Sequence, residues 1–114
     1  MDATATAPAP QHMRALEQAN RVRLARAELK RQVAQGELTA AEVVQNCPWE
    51  ADSMSIADLL MSQHRWGRIR CHRFLGSMRI SETKTIGSMT ERQRREMSGR
   101  LNGDQHTADR YALA

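Results

Sequence analysis

Apolar residues along this chain recur at helical rather than strand spacing. From Gln11 to Gln35 there is neither proline nor glycine, and Met13, Leu16, Ala19, Val22, Ala27 and Leu29 mark a thin, broken apolar stripe among strong helix formers. That run predicts a long first helix, with Gly36 placed to end it in the left-handed conformation. Thr39 followed by Glu42 is a capping box and opens a short helix, Ala40 to about Asn46. Pro48 closes it, because the residue before a proline is pushed out of the helical region. Ser55 with Asp58 repeats the box and opens a third helix, Ile56 to Gln63, whose inward face is Ile56, Leu59, Leu60 and Met61. Cys71, Phe74, Leu75 and Met78 fall at i, i+3, i+4 and i+7, so a fourth helix, Arg68 to Met78, carries one buried stripe. Thr90 with Gln93 opens a last helix, Glu91 to about Leu101.

These elements predict an all-α fold of about five helices, with a long N-terminal helix against which a helical hairpin docks. Residues 11–101 form one domain. Met1 to Pro10 is Ala, Thr and Pro with one acid, too poor in apolar surface to offset the entropy of ordering, and is expected to be a disordered tail. Asn102 to Ala114 is polar, glycine-containing and aperiodic, and is expected to be a second, flexible tail. Trp49, Trp66, Phe74 and Tyr111 are the whole aromatic complement of 114 residues. The core must therefore come from aliphatic side chains, Met and Ala, a palette that suits packed helices.

Composition narrows the chemistry. Cys47 and Cys71 lie in no metal-binding or C-x-x-C spacing, so neither a disulfide framework nor a zinc site is expected, and Cys71 sits on the buried stripe as a packing residue. No run approaches the roughly 20 apolar residues that cross a bilayer, so a cytoplasmic protein away from membranes is expected. Neither a catalytic constellation nor a glycine-rich nucleotide loop is visible, so no enzyme activity and no cofactor are expected. The formal net charge of +4 is unevenly spread: residues 63–100 hold ten Lys and Arg against three acids, while the remainder is net acidic. A basic excess confined to one region is the footprint of a polyanion binder.

The stretch IADLLMSQHRWGRIRCHRFLGSMRI concentrates that charge. Two helices joined through a turn at Gly67 aim the second helix's unpaired N–H groups outward, at the positive end of its dipole, which suits a phosphate. Arg65, Arg68 and Arg70 flank the same point. Gly67 serves either a positive φ, a close approach of backbone to ligand, or the turn alone. Trp66 either plugs the hairpin or stacks on a sugar or base. His64 and His72 flank the turn and bind phosphate only when protonated.

The sequence resembles the actinobacterial, mycobacterial-type integration host factors. The resemblance runs from about Arg14 to Arg100, through RALEQANRVRLARAELKRQV, SIADLLMSQHRWGRIR, and the stretch from SETKTIGSM to TERQRREM. It implies that the hairpin is a helix-two-turns-helix element gripping the DNA backbone, with the pattern glycine, basic, aliphatic, basic met by Gly67, Arg68, Ile69 and Arg70. Where the family has an arginine-rich second DNA contact, this sequence reads Lys84, Thr85, Ile86 and Gly87, so Arg92, Arg94 and Arg95 are candidate substitutes. Such a departure fits a divergent or phage-borne member. The DNA-binding set expected on these grounds is Arg65, Trp66, Gly67, Arg68, Arg70, Arg73, Lys84, Thr85, Arg92, Arg94 and Arg95. The resemblance further implies a nucleoid-associated, monomeric protein that bends or bridges double-stranded DNA with little sequence preference. Chromosome organisation, transcription and site-specific recombination would be its settings, with a recombinase or other nucleoid proteins as partners. The competing readings are a protein-interaction module, such as a phage-borne regulator of a host factor, and RNA or ribosome binding through the same hairpin.

Overall fold

The computed structural model describes the backbone of residues 11–113 and the side chains of residues 11–103. Five α-helices are present among them: α1 (Gln11–Ala34), α2 (Ala40–Asn46), α3 (Ile56–Ser62), α4 (Arg68–Met78) and α5 (Glu91–Leu113). Two short 3-10 turns, Trp49–Ala51 and Ile86–Ser88, complete the chain path and were not foreseen from periodicity. The expected N-terminal tail lies outside the described residues.

Local signals set most boundaries. Gly36 takes a φ of 78° and ends α1, where the missing Cβ removes the penalty for a left-handed residue. Both halves of the Thr39/Glu42 box form: the Glu42 N–H donates to Thr39 Oγ1 at 3.1 Å and the Thr39 N–H to Glu42 Oε2 at 3.2 Å. The Thr90/Gln93 box is equally complete. At Ser55 only one half forms: Ser55 Oγ accepts from the Asp58 N–H, while the Asp58 carboxylate pairs with Lys30 Nζ at 2.7 Å. That side chain ties α3 to α1 instead of capping its own helix. The largest departure is at the C-terminus, where α5 continues past Leu101 to Leu113. Asn102 and Gly103 are poor helix formers, but each costs at most about 1 kcal/mol and no proline follows to stop the run.

The core described is mainly aliphatic, with Trp66 as its buried aromatic and Phe74 packed against it. Leu29 and Val33 of α1, Val43 and Val44 of α2, Ile56, Leu59 and Leu60 of α3, Cys71 and Leu75 of α4, and Met97 and Leu101 of α5 close around Met54 and Ile86. Helix α2 lies along α5, where the small residues Ala40 and Ala41 allow close approach and the buried Ser98 hydroxyl donates to the Ala41 carbonyl. Helix α3 packs against α1, as expected of the hairpin. Arg26 ties α1 to the 3-10 turn Trp49–Ala51 and the segment after it by donating to the Glu50 carbonyl at 2.9 Å and to Ser53 Oγ. Met61, expected on the inward face of α3, is exposed, because at about 100° per residue it falls on the far side of the helix from the sector shared by Ile56, Leu59 and Leu60.

Candidate nucleic-acid interface

The hairpin is α3, the turn 63–67 and α4. Its turn is built by Arg65, which adopts φ 67°, and by the Trp66 N–H donating to the Gln63 carbonyl at 3.1 Å. Gly67 has φ −94° and ψ −176°, extended backbone open to any residue, so the positive φ, one of the roles open to the glycine, belongs to Arg65 two residues earlier. A Cβ at Gly67 would meet no heavy atom within 4 Å. Neither the backbone conformation nor internal crowding requires glycine here. The space above Gly67 leaves its backbone open to solvent, and glycine is favoured over alanine at an N-cap.

Gly67 is also the N-cap of α4 and, having no side chain, leaves the first-turn N–H groups uncapped. The residues that follow, Arg68, Ile69 and Arg70, are exposed, as are Arg65 and Arg73. Five of the expected contact residues, Arg65, Gly67, Arg68, Arg70 and Arg73, are thus exposed at or near an uncapped helix N-terminus, with Arg68 and Arg70 on opposite flanks of α4. Ile69 stands among them with 71 % of its surface exposed. Sequence reasoning passed over it as the aliphatic member of a pattern; its place opposite Cys71 and Leu75 on the α4 wheel was the available signal.

Trp66 is not on that surface. It is 9 % exposed, its ring meets Phe74 edge-on at 5.3 Å between centroids, and the Arg70 guanidinium lies over its outer side at 4.3 Å. The plug reading is therefore the one the structure bears out, and the cation over the indole orients Arg70. His72 is joined to Glu82 at 2.9 Å, linking α4 to the loop that follows it. Burial pushes the Cys71 thiol up, with the Glu82 charge adding to the effect, so it is a poor nucleophile, as its place on the stripe suggested.

The loop 82–89 does structural work. The Glu82 and Lys84 carbonyls accept from the Ala57 and Ile56 N–H groups, satisfying first-turn donors of α3 that would otherwise be orphaned. Thr85 forms a single antiparallel bridge with Ser55, Ile86 is fully buried, and the Gly87 N–H donates to the Asp52 carbonyl at 2.8 Å. A Cβ at Gly87 would fall 2.6 Å from that carbonyl oxygen, so this glycine is required by packing. Lys84 and Thr85 are half-buried here rather than presented on an open loop. Arg94 is likewise turned inward: Nη2 donates to the Ile86 and Gly87 carbonyls and Nε to that of Met89, at 3.1–3.3 Å. Its proposed place as a substitute DNA contact is better described as a clamp on the loop. Arg92 and Arg95 remain exposed on α5.

Among the described residues no group of three or more His, Cys, Asp and Glu gathers as metal ligands do, and no helix is long and apolar enough to cross a membrane. No protein-family model and no curated protein matches the chain. Among solved structures the fold is similar to that of sIHF bound to an eight-base-pair palindromic DNA, with a TM-score of 0.69 and 22 % identity over 75 % of this chain and 98 % of that one.

Proposed function

We propose that this protein binds double-stranded DNA through the hairpin, holding phosphates at the uncapped N-terminus of α4, and that it acts as a nucleoid-associated protein rather than an enzyme. The observation that carries the reading is the turn around Gly67: open space above a Cβ-less N-cap, uncapped N–H groups behind it and arginines on either side. An anion seated there gains the helix dipole, direct backbone donors and guanidinium pairing together. The likeness in fold to a protein solved on DNA supports the same reading. Contacts of this kind position a protein on the duplex without reading its sequence, so preference among sequences is slight. Bending or bridging of DNA, chromosome organisation, modulation of transcription and support of recombination are the roles this binding serves in our reading, in the cytoplasm at the nucleoid.

With Arg94 clamped on the loop and Arg70 laid over Trp66, the exposed cations offered to the complex are Arg65, Arg68 and Arg73 with Arg92 and Arg95, and Lys84 is half-buried. If about five phosphates are neutralised, log affinity falls with log salt at a slope of roughly −4 to −5. The test is fluorescence anisotropy of random and AT-rich duplexes at two salt concentrations, with the wild type and with Arg68→Ala plus Arg70→Ala. A large loss for the double variant, equal on both duplexes and with the helical circular dichroism retained, is expected. Equal affinity of variant and wild type refutes the site, and preference for duplex RNA over DNA would reassign it, since A-form and B-form grooves space their phosphates differently.

A further inference from the structure

The first three turns of α1 project beyond the body of the protein. Every residue from 11 to 21 is exposed, and side chains first become covered at Val22, Ala25 and Arg26. At about 100° per residue, Met13, Leu16, Asn20, Leu24 and Ala27 fall within one sector about 80° wide. That sector lies opposite Leu29 and Val33, which are buried against the core. Leu16 is 64 %, Leu24 62 % and Met13 44 % exposed. One helix therefore carries two apolar stripes, of which the body covers one.

We propose that the second stripe is a self-association seam, covered by the same stripe of another copy of this chain running antiparallel to it. The stripe is its own complement about Asn20. Turned end for end about that residue, Leu16 meets Leu24 and Leu24 meets Leu16, while Asn20 meets Asn20. In the single chain Asn20 accepts from Arg23 through Oδ1, and its amide N–H₂ group keeps two donors for the facing amide. A lone polar residue in such a seam fixes register, because any slip would set an amide against leucine. The flanking charges choose the direction. Glu17 and Arg21, both exposed, lie on the same flank of the stripe, and antiparallel helices bring like flanks together. Glu17 of each copy then stands beside Arg21 of the other, a closed two-fold arrangement.

Three large apolar side chains from each copy make an interface well under the roughly 1,200 Å² of a stable dimer, so association is weak and reversible. Two copies on one DNA molecule would meet at a raised effective concentration. The seam rests on α1 alone and is tested without nucleic acid, so its failure leaves the DNA reading untouched.

The experiment is sedimentation equilibrium of the full chain from about 10 to 500 μM, the range suited to a weak interface. The mass is expected to climb from 12.9 kDa toward twice that value. Leu16→Glu with Leu24→Glu should hold the monomer mass throughout while the body keeps its cooperative urea transition. Glu17→Arg should weaken association and the further change Arg21→Glu should restore it, a rescue that a general loss of helix stability does not give. A wild type that stays monomeric at the highest concentration overturns the proposal. So does association that the single and double charge variants weaken alike.

Discussion

Gly67→Ala separates binding from folding at a single methyl group. In the free protein the change costs little, for two opposing reasons. Alanine is a poorer N-cap than glycine, by about 0.5–1 kcal/mol. The backbone at φ −94° and ψ −176° suits alanine, however, and the loss of glycine's freedom in the unfolded chain returns about 0.4–1 kcal/mol. No neighbour lies within 4 Å of the new Cβ, so no packing strain is added. The net change in stability is therefore within about 0.5 kcal/mol of zero. In the complex the same methyl occupies the space through which a phosphate reaches the first-turn N–H groups, and loss of one charged hydrogen bond alone weighs about 1.5–3 kcal/mol. Affinity for a short duplex should fall at least tenfold. Urea unfolding and fluorescence anisotropy on the same preparation measure both sides. Unchanged DNA affinity would refute a backbone contact at Gly67, whereas a loss of stability beyond 1 kcal/mol would show that the local geometry has been misjudged.

Gly87→Ala should behave in the opposite way, destabilising the fold by about 1–3 kcal/mol because its Cβ would press on the Asp52 carbonyl; thermal melting checks this, and an unchanged midpoint contradicts it. Ile69→Ala should leave stability untouched and lower DNA affinity about five- to tenfold as an apolar sugar contact is lost. Its salt slope should match the wild type, whereas Arg68→Ala should flatten the slope by nearly one unit. A salt slope that also drops for Ile69→Ala would argue against an apolar contact. With iodoacetamide at neutral pH, half-buried Cys47 should react in the native protein and buried Cys71 only after unfolding, which peptide mass mapping resolves. Rapid labelling of Cys71 would show that α4 opens from the core.

Helix positions were legible because their signals are local. The caps at Thr39 and Thr90, the left-handed Gly36 and the Cys71 to Met78 stripe each act within a turn or two, and the fold follows them. Charge in the hairpin was legible too, since Arg65, Arg68, Arg70 and Arg73 lie close together in sequence across the turn and the start of α4. What the sequence hid was the destination of side chains that act across the fold. Arg94 reads as one more cation in a basic helix, and only the three carbonyls beside it reveal a clamp. Asp58 fits a capping box by spacing, but Lys30 draws it away, and that choice depends on how α1 and α3 cross. Trp66 and Arg65 trade on the same point: a turn can be located from sequence, while the residue that takes the positive φ and the ring that turns inward are decided by packing.

The mooring of α3 at its start bears on how the hairpin would meet the DNA proposed for it. Its first amides are held by the Glu82 and Lys84 carbonyls, and its flank by Lys30. Helix α4 is anchored through the buried Cys71 and Leu75. Both limbs are thus preset before any encounter, and little motional freedom remains to be surrendered on docking. On the proposed DNA-binding reading, capture should run at the pace of electrostatically guided diffusion, and the free and bound hairpins should superimpose to within about 1 Å.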